Sequence, residues 1–167
     1  MLANPAPGRL ADIYLGLQSR RAGKVKGESV VADHKEEIHV LGWSWGVAAG
    51  SALGSSQGTG RRSYRNLVVT KTVDAASTAL MNVVKVNDDF KEARLCMRKA
   101  GEGQRDYFSI TLTDARIATL DFDCREDGVV VERISFSYAH VQVDYELQKS
   151  DGQRGGGTTF QDDILPS

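Results

Sequence analysis

Few residues of this chain have the type and spacing to do chemistry, and each group makes a demand that can be checked. The histidines are His34, His39 and His140. A zinc hydrolase places two of them at i and i+4 on one helical face, and the H-x-x-x-x-H spacing of His34 and His39 does not provide this. His34-Lys35-Glu36-Glu37 reads instead as the solvated start of a strand. A Ser or Cys nucleophile needs an adjacent base, and no nucleophile-elbow string occurs. A small hydrolase using His39 or His140 is the weakest of the open readings. Cys96 and Cys124 could form one bridge at most; they read as small apolar thiols in a reducing compartment, with no metal-site spacing. The carboxylates Asp88–Asp89, Asp121 with Asp123, and Asp162–Asp163 fall at loop-like positions, which supports no glycosidase pair. The glycines at 46, 50, 54, 58 and 60 have neither the P-loop separation nor the dinucleotide pattern, since position 63 is Ser. The expectation is a non-enzyme with no catalytic residue, cofactor or metal.

Trp43 and Trp45 allow two readings. They could line the cavity of a monomeric ligand-binding barrel, or they could belong to a core packed from one strand face. The second is preferred.

The elements that would position these residues are mostly strands. Residues 11–17 alternate Ile13, Leu15 and Leu17 against Asp12, Tyr14 and Gly16, the period of a half-buried strand. In Glu36–Gly46, Ile38 and Val40 share one parity, and Trp43 and Trp45 share the other. Both pairs read as buried, which predicts a β-bulge at Gly42 and leaves His39 and Ser44 pointing outward. Residues 47–63 form a long Gly/Ser/Ala-rich loop without periodicity, a length that is either functional or disordered. Tyr64–Val73 returns to a strand with Leu67, Val69 and Val73 on one side. Asp74 to about Asn87 is the one convincing helix, capped by Asp74 or Ser77, with a stripe of Ala76, Leu80 and Val84.

From Glu92 the pattern is β again, through Ala93, Leu95 and Met97, a turn at Gly101-Glu102-Gly103, then Phe108, Ile110 and Leu112. A last strand spans Val129 to about Leu147. Its inward set changes from Ile134, Phe136 and Tyr138 to Val141, Val143 and Tyr145, which predicts a second bulge near Ala139–His140. The polar tail 149–167 reads as flexible or used only in assembly. Six or so strands and one helix in 167 residues predict one mostly β domain, a compact barrel or tightly rolled sandwich.

Bulk properties narrow the class further. The net charge is −1, so a polyanion-binding surface is not expected, and Arg20–Arg21 and Arg61–Arg62 read as loop charges. No run approaches the ~18 apolar residues of a membrane span. The N-terminus has neither a basic start nor a long apolar run, so any exit from the cell would use no cleavable signal.

Particular strings go beyond composition. Lys26-Gly27-Glu28-Ser29 and Glu36-Glu37-Ile38-His39-Val40-Leu41-Gly42-Trp43-Ser44-Trp45-Gly46 resemble the first half of the Hcp family, the haemolysin-coregulated tube proteins of type VI secretion. Thr70-Lys71-Thr72-Val73-Asp74, Ala93-Arg94-Leu95, Arg98-Lys99-Ala100-Gly101, Tyr107 to Leu112 and Val141-Gln142-Val143-Asp144-Tyr145 continue the match in order, from about residue 11 to 152. The resemblance implies a β-barrel of two packed antiparallel sheets with a flanking helix, assembled as a hexameric ring. It further implies stacking of rings into a secreted tube and carriage of effectors in the bore, with sheath, spike and effector proteins as partners. Ser44 would face the bore. The loop, with Gly50, Ser51, Leu53, Gly54, Gly58, Arg61 and Arg62, would reach a neighbouring subunit or ring, and Trp43, Trp45 and Tyr145 would be core. The N-terminal extension 1–10, the loop 18–23 and residues 160–167 depart from the family pattern.

Overall fold

The computed structural model describes residues 11–50, 62–100, 105–148 and 154–164. In chain order the strands are β1 (Ala11–Ser19), β2 (Gly23–Lys24), β3 (Ile38–His39), β4 (Gly42–Ser44), β5 (Val47–Ala48), β6 (Ser63–Tyr64), β7 (Leu67–Thr72), β8 (Phe90–Lys99), β9 (Asp106–Cys124), β10 (Val130–Gln148) and β11 (Arg154–Asp163). A 3-10 turn covers Ala32–His34, and the helix α1 covers Ser77–Lys85.

All pairings are antiparallel. The main sheet runs β2-β1-β8-β9-β10-β7-β4, with β3 on β1 and β11 on β10, while β5 and β6 pair with each other. The ladder does not close as one ring of paired strands. Residues 38–44 instead hand the backbone from one edge to the other: Val40 N donates to Ile13 O at 3.0 Å, and Leu41 N donates to Thr70 O at 2.8 Å. This revises the predicted bulge at Gly42. The change of parity between Ile38/Val40 and Trp43/Trp45 is a change of partner strand, because two successive short segments satisfy their backbone groups on different neighbours.

The core lies between this wrapped sheet and α1. Leu15, Leu17, Ile38, Leu67, Val69, Leu95, Ile110, Leu112, Ile134 and Val141 are buried, and Phe90 meets Phe136 edge-on at 6.0 Å. The helix is shorter than predicted. Its start is held by Asp74 Oδ1, which accepts from Ala76 N at 2.9 Å, while Ser77 Oγ accepts from Asp74 N at 2.9 Å. Asn87, at φ 51°, ends it in the left-handed region. Ala76, Leu80 and Val83 are buried, whereas Val84 is 46% exposed. At 3.6 residues per turn, a residue seven places on lies about 20° from the Ala76 direction and one eight places on about 80°.

Other expectations on the strands also shift. Val73 is exposed, and the third inward residue of β7 is the fully buried Lys71. The inward set of β10 does change between Tyr138 and Val141, yet its register with β9 is unbroken there. The ladder slips at Ser135/Phe136 instead. Residues 154–163 are a paired strand: β11 lies against β10 from Gln148↔Arg154 to His140↔Asp163, because β10 would otherwise leave that edge open. The turn at 101–103 lies outside the described residues.

Gly27 permits one close approach that orders the segment before β3. Its N–H donates to Glu36 O at 2.7 Å, and a Cβ there would stand 2.4 Å from Glu37 O. Gly27→Ala must push backbone apart, not a flexible side chain. Thermal denaturation should show a loss of about 1–3 kcal/mol, the usual range for overpacking; an unchanged midpoint would refute the tight fit.

Candidate assembly site

Three groups of side chains stand out: a tryptophan strip at and just after β4, a clamp at the root of the long loop, and two buried polar clusters. In the strip, Trp43 stacks on Phe108 with centroids 5.8 Å apart, and Trp45 stacks on Tyr64 at 6.0 Å. Trp45 Nε1 donates to Tyr138 Oη at 2.5 Å, and that hydroxyl donates to Arg65 O at 2.7 Å. Burial raises the Tyr138 phenol above its ordinary pKa, which keeps it a donor. Both tryptophans are half-buried against the core and are not part of its interior. Ser44 and His39 are exposed, as their parity predicted. Tyr145, expected in the core, is 44% exposed, and none of the described residues covers its side chain fully.

Of the loop residues, Gly50 and Arg62 are exposed, and Ser51, Leu53, Gly54, Gly58 and Arg61 lie outside the described residues. The stem of the loop is the β5–β6 pair, and it is tied to β11. Arg62 Nη2 donates to Asp162 Oδ1 at 2.7 Å, while Arg62 Nε and the Tyr64 hydroxyl both donate to Asp162 Oδ2. Hydrogen bonds from Arg62 and then Tyr64 bring the Asp162 carboxyl down to about 2, and the same contact raises Arg62. Beyond the clamp, His140 Nδ1 meets Asp163 Oδ1 at 2.7 Å, and Ile164 N donates to Ala139 O at 2.8 Å. The expectation of a loose tail is therefore corrected for residues 154–163.

The polar clusters were not legible in advance. Lys71 Nζ lies 2.5 Å from Glu132 Oε2, 2.8 Å from Asp74 Oδ1 and 3.2 Å from Ser77 Oγ, with Lys71 and Glu132 both fully buried. Glu132 Oε1 has no hydrogen-bond partner. The only sequence signal was Lys71 itself, standing at an inward parity in an apolar strand. His34 is also buried, contrary to its reading as solvated. It stacks flat on Tyr14 at 4.4 Å, with Nδ1 2.7 Å from Glu37 Oε1 and Nε2 2.8 Å from Asp106 Oδ1. Arg98 bridges Asp33 and Asp106, each at 3.1 Å. Cys96, on the same face, is buried, and that burial pushes its thiol up to about 12.

A groove of about 420 Å³ lies between Leu41–Gly42, Thr70 and the distal β9–β10 hairpin at Phe122, and a second of about 390 Å³ lies near Tyr107, Tyr145 and Gly157. Trp43 and Trp45 line neither groove. His140 is bonded to a carboxylate and has no hydroxyl or thiol partner among the described residues, so it lacks the geometry of an activated nucleophile.

A wrapped antiparallel sheet with a bridging W-S-W strand, one short helix and a clamped loop defines a class of protein, and the comparisons identify the family. Residues 14–145 match the family described as "Type VI secretion system effector, Hcp". The chain is 36% identical over 141 residues to the protein hcp1 of Pseudomonas aeruginosa, covering 82% of this chain and 87% of that one. Among solved structures, Hcp1 from Salmonella typhimurium superposes with a TM-score of 0.75 at 29% identity, covering 93% and 95% of the two chains. A type VI secretion system effector from Yersinia pestis gives 0.72 at 27% identity, covering 92% and 100%. The chain belongs to the Hcp family of type VI secretion system proteins.

Proposed function

We propose that this chain is a single-domain subunit of the type VI secretion tube, closing into hexameric rings that stack and carry small effectors through the bore. The observation that carries this reading is the extent of the family match, from Tyr14 in β1 to Tyr145 near the end of β10, which takes in the helix and every strand of the wrapped sheet except β11. The chain also exposes apolar side chains that a neighbouring copy would cover. Phe122 and Val130 stand on the distal hairpin, and Tyr145, Leu147 and Phe160 on the β10–β11 side, between 36% and 50% exposed. A head-to-tail contact whose rotation closes gives a ring, and each contact needs on the order of 800 Å² per partner. The loop of residues 47–63, Gly50 and Arg62 included, reaches the adjacent subunit or ring. Sheath, spike and effector proteins of the same machine are the further partners.

Native mass spectrometry and negative-stain microscopy of the purified chain test this directly. Six-fold rings are expected; a strictly monomeric chain at high concentration would overturn the reading and leave a solitary ligand-binding barrel in its place. Ser44 faces the bore in this reading. Ser44→Arg should reduce co-purification of a cargo several-fold while rings persist. Loss of the rings would instead place Ser44 in a subunit contact.

A further inference from the structure

We infer that this chain carries a mononuclear site for a divalent transition metal of the zinc class, with His34, Cys96 and Asp106 as protein ligands. The three residues come from the 3-10 turn, β8 and the start of β9, and their donor atoms all lie within 4.8 Å of one another. One imidazole, one thiol and one carboxylate form a mixed set that suits zinc, and not the oxygen-only preference of calcium or magnesium. Zinc bonds are about 2.0–2.3 Å long, so the widest donor pair must close by about an ångström while the hydrogen-bonded His34–Asp106 pair opens around the ion.

Two features distinguish this cluster from a chance gathering of surface acids. The first is burial: His34 is 3% and Cys96 1% exposed. Tyr14, Cys96 and Ser109 are cross-strand neighbours on the face that the 32–37 segment covers, which is why Cys96 is buried opposite the Leu95 side. The second is that the imidazole and the carboxylate are already oriented from behind. Glu37 Oε1 holds His34 Nδ1 at 2.7 Å, and Tyr14 stacks on the ring within 4° of parallel, so Nε2 faces Asp106. A carboxylate on the far nitrogen is the usual support of a metal-binding imidazole. Arg98 Nε holds Asp106 Oδ1 at 3.1 Å, while Oδ2 lies 3.0 Å from His34 Nε2 and can turn to an ion without releasing Arg98. Arg98 is bonded to Asp106 and Arg94 acts on Cys96 through space, while Asp33, Glu37 and Asp106 place three carboxylates at the cluster. Asp106 is 30% exposed at its side chain, which leaves a solvent-facing position for a fourth ligand.

This inference does not depend on ring assembly, and its test reads the metal alone. The metal-free chain is titrated with Co²⁺ in the absence of other thiols, and Zn²⁺ is then added as competitor. One equivalent of Co²⁺ should bind with a sulfur-to-cobalt charge-transfer band in the near ultraviolet and tetrahedral bands in the red, both removed by Zn²⁺. Cys124→Ser should leave the spectrum intact, and Cys96→Ser should abolish the charge-transfer band. Glu37→Gln should keep the spectrum but weaken binding by about 10–100-fold. Absence of a thiolate band in the unaltered chain, its survival in Cys96→Ser, or its loss in Cys124→Ser would each overturn the assignment. Should Cys96→Ser fail to fold, the unaltered chain and Cys124→Ser decide the matter.

Discussion

Lys71→Met should destabilise the fold by roughly 3–5 kcal/mol, the cost of removing one partner from a buried ion pair. The substitution leaves the Glu132 carboxylate fully buried without its cation, and Oε1 of that carboxylate already lacks a hydrogen bond. It also removes the donor that ties Asp74 to β7, at the point where the chain turns into α1. Replacing both members, as Lys71→Met with Glu132→Leu, removes the unpaired charge and should recover most of the loss, since apolar groups of similar volume often substitute for such pairs. Denaturant unfolding of the two single variants and the double variant measures the coupling. A Lys71→Met protein within about 1 kcal/mol of the parent would show that the pair is not what holds β7, β10 and the helix start together.

Asp162→Asn should detach the stem of the long loop from β11 while leaving the core stability nearly unchanged. The bidentate contact with Arg62 and the bond from Tyr64 both depend on the charged carboxylate. Trypsin must take the Arg62 side chain into its pocket to cut after it, so cleavage there should become several-fold faster in the variant. Equal cleavage rates in Asp162→Asn and the parent would mean that the stem is held by other contacts. The same clamp has an acid limit. The Asp162 carboxyl sits at about 2 in the folded chain, below its ordinary value near 3.8. Its contribution is therefore complete above about pH 4 and is lost as pH falls towards 2. Emission from Trp45, which stacks on Tyr64, should report that loss in this window and stay flat above it.

Strand content, the one helix and the family could all be read from the chain alone, because they rest on short-range patterns. Alternation in β1, β8 and β9 marks one face of a sheet wherever that sheet is later placed. The W-S-W string and its collinear companions carry the family, and the exposure of Ser44 follows from parity in a strand whose inward residues are the tryptophans. The helix was legible in existence and in Ala76 and Leu80 of its buried stripe, but not in the third member, where one residue's difference separates Val83 from Val84.

What parity could not reveal was which strand a segment pairs with, or what covers the other face of the sheet. Residues 38–44 read as one strand with a bulge, and only the wrapped sheet shows them shared between β1 and β7. Arg62 and Asp162 are 100 residues apart, and nothing local announces that they meet. His34 read as solvated because its neighbours Lys35, Glu36 and Glu37 are charged; it is buried because Tyr14 and Asp106 arrive from distant strands. Hydrophobic periodicity is a property of a few consecutive residues, so sequence determines it alone. A buried charge or a metal-type cluster exists only where partners far along the chain are brought within a few ångströms, and that was decided by the tertiary structure.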